Sequence, residues 1–258
     1  MSTIIIDVHK SVEENAGFYF DKAKHMKKKV KGALVALEKS KKDLEKLQKE
    51  VIEEAKPKLS KLPVKREWYE KFRWFSTSED FLVIMGRDAT TNEIIIKKHT
   101  SDNDLIFHTD MAGSPFAVIK AEGKEIGIAS IEEAAQATAS YSRAWKLGLS
   151  TLDVFYVKPD QVTKKARPGE FLQKGSFMVY GKSTYLRPTL RLAIGTTEIG
   201  SVIGGPEPAI KKHAKSYVNI IQGNEQPSDI AKKLHHKFNA PIDDILRFLP
   251  SGGCKIES

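Results

Sequence analysis

A single cysteine, Cys254, stands among 258 residues, so no internal disulfide can form and a reducing compartment is the expected setting. Uninterrupted apolar runs reach only about five residues, far short of the roughly 20 that cross a bilayer. The opening stretch Met1 to Asp7 has neither a basic n-region nor a long apolar h-region. No secretion signal is therefore expected, and the cytoplasm, without membrane contact, is the expected location. No GxxxxGK[ST] and no GxGxxG occurs, which argues against nucleotide hydrolysis. His235 and His236 are neighbours on a helical stretch and point to different faces, and Cys254 has no CxxC partner. Neither a metal nor any other cofactor is expected.

What the chain has is lysine and arginine. Net charge is +9, with 40% apolar and 29% charged residues, the make-up of an ordinary water-soluble chain long enough to bury a sizeable core. Residues 1–66 hold 17 basic and 10 acidic side chains, a balance of +7, whereas 67–258 hold 25 and 23. Within that near-neutral remainder, 158–191 carries eight basic residues against only Asp160 and Glu170. Two basic zones point to a polyanion partner, with nucleic acid foremost. For residues 1–66 the plainer reading, solubility charge along a helix, stands beside it.

Ser11 is placed to cap a helix that continues to about Lys56. Val30, Leu37, Leu44 and Val51 recur seven apart, with Ala33, Ser40 and Leu47 between them and Leu34 alongside. That is a short heptad seam. It requires a partner helix, a second copy of the chain, or the neighbouring domain to cover it, so self-association or a protein partner through residues 26–55 is expected. Gly17 and Gly32 are candidate bends or hairpin points. Pro57 and Leu62-Pro63 end the arm, giving an expected division into 1–64 and a globular part 65–258, itself split into a core, 65–195, and an extension, 196–258.

The globular part opens on the aromatic run Trp68, Tyr69, Phe72, Trp74, Phe75, then a turn over 76–80 and a buried strand from Phe81 to Met85. Asp88 and Thr90 are candidate caps for a short helix through Ile94, Ile95 and Ile96, with a third strand as the alternative. Leu105 to Phe107 and Phe116 to Ile119 read as strands flanking the polar turn from His108 to Pro115. After an extended piece at 126–129, Ser130 with Glu133 forms a capping-box signature for a helix whose small and aromatic face runs to Trp145. Gly148 stops it. Strands follow at 152–157, 175–182 and 190–194, with a Gly169-Glu170-Phe171 turn among them, and Gly204-Gly205-Pro206 reads as a turn. The tail offers helices at 209–214, 227–238 and 241–249 and a strand at 217–221. Hairpin-like connections of this kind argue an α+β fold, mainly antiparallel sheet with packed helices, preceded by the long helical, coiled-coil-type arm.

The strings KREWYEKFRWF, STSEDFLVIMGRDATTNEIIIKK, DLIFHTDMAGSP and KPDQVTKKARPGEFLQKGSFMVYGK together resemble the NFACT-R domain. This is the RNA-binding-type domain of the NEMF/RqcH/FbpA (fibronectin-binding protein A-like) ribosome quality-control family, archaeal-type. SVEENAGFYFDKAKHMKKKVKGAL resembles the start of that family's coiled-coil arm. The family's N-terminal and helix-hairpin-helix domains have no counterpart here. The chain is thus expected to be a C-terminal fragment of a longer protein or a stand-alone arm plus NFACT-R. The resemblance implies binding to the large ribosomal subunit and to tRNA and rRNA during quality control of stalled nascent chains. It also implies positioning tRNA for C-terminal tailing, with no catalysis by the factor itself.

Candidate contacts follow from the residues. His108 beside Asp110 and Ser114 suggests acid–base chemistry, but their spacing makes no triad. A loop in which His108 and the Gly113 and Ser114 amides meet phosphate competes with a purely structural turn. Arg87 is either an ion-pair or cap neighbour or a phosphate contact. Lys97 and Lys98 suit a solvated face as well as a binding one. Lys158, Lys164, Lys165, Arg167, Lys174 and Lys182 lie in or around a Pro- and Gly-flanked loop too poor in acids to neutralise them, which suits an RNA backbone. Tyr180 and Tyr185 are near enough to stack on bases, with sheet core as the expected place of Tyr180. General nucleic-acid binding, DNA included, and a coiled-coil scaffold are the alternatives.

Overall fold

The computed structural model describes residues 5–54, 67–165 and 172–257, with 45–54 as backbone. Pro57, Leu62-Pro63, Arg167 and the Gly169-Glu170-Phe171 turn lie outside these residues, as do the side chains of Leu47 and Val51. The chain divides into two compact units, 1–65 and 66–258.

In the first unit one helix, α1 (Val12–Glu54), runs for 43 residues, about 65 Å at 1.5 Å per residue. Ser11 caps it reciprocally: its Oγ accepts from the Glu14 N–H at 3.2 Å, and its own N–H donates to the Glu14 carboxylate at 2.8 Å. The helix passes through Gly17 and Gly32 unbroken, and a side chain at either would meet open space. The bends expected there do not occur, because a glycine in an exposed helix costs only about 1 kcal/mol and forces nothing. Val30, Leu34, Leu37 and Leu44 are all exposed. Among the described side chains of the seam these four lie open to solvent.

The second unit is built in order from β1 (Arg73–Ser76), β2 (Leu82–Met85), α2 (Ala89–Lys98), β3 (Leu105–Thr109), β4 (Ala117–Ile119), α3 (Ile128–Ser140), α4 (Arg143–Lys146), β5 (Val154–Val157), β6 (Val162–Thr163), β7 (Met178–Val179) and β8 (Thr184–Leu186). Then come β9 (Leu192–Thr196), β10 (Val202–Gly205), α5 (Glu207–His213), β11 (Ser216–Glu225), α6 (Pro227–Phe238), α7 (Ile242–Leu246) and β12 (Cys254–Ile256). A six-stranded sheet has the order β1-β2-β4-β3-β5-β8, a second sheet the order β10-β9-β11-β12, and β6 and β7 form a separate ribbon. Every pairing is antiparallel, so the fold is α+β as the hairpin-like connections imply.

Period-2 geometry explains the uninterrupted apolar strands. Val83, Met85, Phe107, Ala117 and Ile119 face one cluster with the alanines of α3, while Ile84, Ile106, Phe116 and Val118 face another with Ile95 of α2. The large sheet is thus covered on both faces, and its strands need apolar side chains in both directions. The position between 195 and 196 falls inside β9, whose residues pair with both β10 and β11.

Four local expectations are corrected. Gly204 and Gly205 belong to β10, not to a turn: Cβ atoms there would come within 2.5 Å of Phe248 and 2.9 Å of Phe75. Glycine is present for close approach, a requirement set by residues far away in sequence. The helix α3 starts at Gly127–Ile128, and Ser130 lies buried inside it. Ser130 Oγ donates to Thr77 Oγ1 at 2.9 Å, and the Glu133 carboxylate accepts from the Ser78 N–H at 2.8 Å. The supposed capping pair instead fastens the β1–β2 turn to the helix, and burial raises the Glu133 pKa. That helix also ends at Ser140, and Ser142 caps the short α4 by accepting from the Ala144 N–H at 3.1 Å. The strand expected over 175–182 shrinks to Met178–Val179, and β8 and β12 are additions.

Candidate nucleic-acid interface

At the end of the large sheet β2 gives way to Gly86-Arg87-Asp88 and α2. Asp88 caps α2, accepting from the Thr91 N–H at 2.8 Å, which together with the Thr91 hydroxyl holds its carboxyl below the usual range. Gly86 donates to the Phe116 carbonyl at 3.0 Å. The buried Asn92 returns the bond, its Oδ1 accepting from the Phe116 N–H at 3.1 Å. This bracket fixes α2 against β4 and opens a cleft of about 620 Å³, closed on the far sides by the β3–β4 turn and by residues 173–179.

Five of the residues singled out in the sequence meet at this cleft: Arg87, His108, Gly113, Ser114 and Lys174. Arg87, Gly113 and Lys174 are exposed. Gly113 turns at φ 89°, in the left-handed region open to glycine. The Ser114 hydroxyl is buried and spoken for, donating to the Met111 carbonyl at 2.9 Å and lying against the Thr109 hydroxyl. His108 sits in β3 rather than in the turn, its ring stacked on Phe116 at 4.0 Å between centroids. Burial pulls its pKa down to about 4. His108 is therefore a neutral aromatic wall at pH 7, with no nucleophile–base geometry around it, since Ser114 is bonded inside its own turn.

The loop on the other side is held by one acid. Glu93 of α2 pairs with Lys164 at 2.7 Å and accepts from the Gly175 N–H at 3.1 Å. These bonds, with Lys164 first, pull the Glu93 pKa to about 2. Lys164 also donates to the Gln173 and Ser176 carbonyls at 2.8 and 2.9 Å and lies 5.2 Å from the Phe177 ring. Lys164 thus belongs to the scaffold, through an acid the sequence neighbourhood does not reveal. Lys97 pairs with the same Glu93 at 3.4 Å. Arg187 pairs with Asp153, and Arg191 with Glu207 and Glu257.

Lys98, Lys158, Lys165, Lys174 and Lys182 remain exposed, with no ion pair among the described residues. Gln161 gathers two of them: its side chain accepts from the Lys158 N–H at 3.0 Å and donates to the Tyr180 and Lys182 carbonyls at 2.8 and 3.0 Å. Lys158 and Lys182, distant in sequence, therefore share one end of the β6–β7 ribbon. Tyr180 is exposed on it rather than buried in a sheet core, and Tyr185 is exposed on β8. Arg73, Asn92 and Phe177 also line the cleft and were not singled out in the sequence. An arginine opening a strand of aromatics was the one available signal.

Fold and cleft together define a small α+β domain, antiparallel sheets with helices packed on them, with an open cleft edged by cations. Residues 71–181 match the family described as NFACT protein RNA binding domain, and the chain carries that domain. The chain is 42% identical over 203 residues, 76% of its length, to the archaeal Rqc2 homolog aRqcH of Methanocaldococcus jannaschii. It is 34% identical over 198 residues to the ribosome quality control complex subunit NEMF homolog of Drosophila melanogaster, again across 76% of this chain. It spans only 30% and 20% of those two relatives. The C-terminal part of the fibronectin/fibrinogen-binding protein of Streptococcus suis superposes with a TM-score of 0.40 at 20% identity, over 70% of this chain and 76% of that one. Among the described residues no helix is long and apolar enough to cross a membrane, and no group of three or more His, Cys, Asp or Glu could hold a metal.

Proposed function

We propose that this chain binds RNA of the large ribosomal subunit and tRNA in the quality control of stalled nascent chains, in the cytoplasm. It holds tRNA in position for C-terminal tailing and catalyses no reaction itself. The observation that carries the reading is the set of exposed cations with no acid partner among the described residues, Arg87, Lys158, Lys165, Lys174 and Lys182, on a domain of an RNA-binding family. Four of the residues singled out in the sequence carry less of it: Lys164 and Lys97 are engaged by Glu93, burial keeps His108 uncharged, and Arg167 lies outside the described residues. The division at 64/65 makes 65–258 the RNA-binding part and residues 26–55 the surface through which the arm meets a second helix.

The test is a charge reversal, Lys165→Glu with Lys174→Glu and Lys182→Glu, read by gel shift against tRNA and by co-sedimentation with large subunits across a salt series. Phosphate contacts lose affinity as salt rises, with a log–log slope of about −0.9 per contact on duplex and about −0.7 on single strands. The triple variant should bind tRNA at least tenfold more weakly, with a slope shallower by about two, and should melt like the parent. Equal binding by parent and variant refutes the assignment. Equal competition by DNA at matched salt leaves a general nucleic-acid binder.

A further inference from the structure

Arg73 stands apart from every other cation of the cleft. It opens β1, its guanidinium lies 4.7 Å from the Tyr141 ring, and it lines the cleft floor. Its Nε is buried and has no hydrogen-bond acceptor, and among the described residues it has no carboxylate partner. Burial first, with the nearby Arg87 charge adding to it, lowers its pKa from the usual arginine value. A guanidinium is nonetheless never neutral in a protein. A partly desolvated, permanently charged group with a buried donor left unsatisfied and no acid is costly on its own, and a bound anion is one way such a donor is satisfied.

The surroundings state which anion fits. The two acids at the cleft do not serve Arg73: Asp88 is bound to the start of α2, and Asp110 is exposed on the β3–β4 turn. Arg87 and Lys174 stand exposed at the rim of the same cleft. A planar five-donor fork below and two cations above suit a tetrahedral oxyanion taken bidentately. The flanking walls, Phe116, His108 and Phe177, are aromatic and uncharged.

We infer that the cleft is a phosphate-binding pocket in which Arg73, assisted by Arg87, holds one phosphate group of an RNA strand. The inference rests on the RNA-binding reading above and narrows it to a single contact made by a half-buried arginine. The phosphate comes from an internal linkage or from a terminal monoester, and the two differ in what a free end adds.

The experiment uses the full chain and dye-labelled 12-nucleotide single-stranded RNAs, with and without a terminal phosphate at the unlabelled end, followed by fluorescence anisotropy at several salt concentrations. Arg73→Met should weaken binding ten- to a hundredfold, the range for a charge-assisted contact, and make the salt slope shallower by about 0.7. Without RNA the variant should melt no lower than the parent, since a half-buried, unpaired charge has gone. A terminal phosphate that tightens parent binding tenfold but leaves Arg73→Met unmoved assigns the pocket to an RNA end; no difference assigns it to an internal phosphate. A variant that melts lower and binds as the parent does makes Arg73 a packing partner of Tyr141 and overturns the inference. Should Arg73→Met fail to fold, Arg87→Glu on the exposed rim carries the same test: at least a tenfold loss supports the pocket, and unchanged affinity refutes it. If only the Lys165, Lys174 and Lys182 reversal weakens binding, the pocket fails and the RNA reading stands. If the parent chain binds no RNA, both fall.

Discussion

Gly86 offers a stability test whose sign depends on one neighbour. A Cβ built there would lie 1.8 Å from Asn92 Oδ1 and 2.8 Å from its Cγ, so Gly86→Ala must displace the buried carboxamide. Overpacking of this kind costs about 1–3 kcal/mol. Displacement also leaves the Phe116 N–H, now 3.1 Å from Oδ1, without its acceptor, for about 1–3 kcal/mol more. The combined penalty is about 2–6 kcal/mol, on the order of 4–24 °C in a domain of this size. Asn92→Ala alone loses only the hydrogen bond. In that background Gly86→Ala should cost under about 1 kcal/mol, because the two closest atoms are gone and the next, the backbone nitrogen of residue 92, lies at 3.0 Å. Part of that is offset by the stiffer unfolded chain. Urea denaturation of the four proteins gives the double-mutant cycle. An equal penalty for Gly86→Ala in both backgrounds refutes the clash, and with it the bracket that shapes the cleft.

Three further outcomes are expected. His108 titrates near 4 in the folded chain against about 6.5 unfolded. The unfolded state therefore binds more protons between those values, and stability should fall as pH drops from about 6.5 to 4. The contribution is on the order of 3 kcal/mol, and His108→Phe, which keeps the stack on Phe116, should remove it; identical pH–stability curves for the two proteins would count against it. Tyr141→Phe deletes the donor that reaches the Phe248 carbonyl at 2.7 Å inside the core and should cost about 1–3 kcal/mol in denaturant melts, with unchanged stability as the refuting result. Finally, sedimentation velocity should show concentration-dependent association through the arm, abolished by Leu37→Asp with Leu44→Asp; a monomer at all concentrations, or association indifferent to the substitutions, rules that surface out.

Sequence patterning reads well here wherever a local rule decides. The apolar runs of β2, β3 and β4, the Asp88 cap, the Ser11 cap and the proline-led α6 all follow from neighbours within a few residues. It fails where a distant residue decides. Gly204 and Gly205 look like a turn until Phe75 and Phe248 press on them. Ser130 and Glu133 have the spacing of a cap, yet their hydrogens and lone pairs go to residues 77–79. The site divides the same way: lysine excess in 158–191 is plain, but Glu93 claims Lys164 from another element, and Arg73 shows its lack of a partner only once the sheet is assembled.

The hold that Glu93 has on Lys164 and Gly175 means that charge counting misjudges this surface. Removing that acid makes the protein more positive, yet it also unfastens the strip on which Lys165 and Lys174 ride. A negative side chain is thus what keeps positive ones aimed, and attraction for a polyanion depends here on geometry more than on total charge.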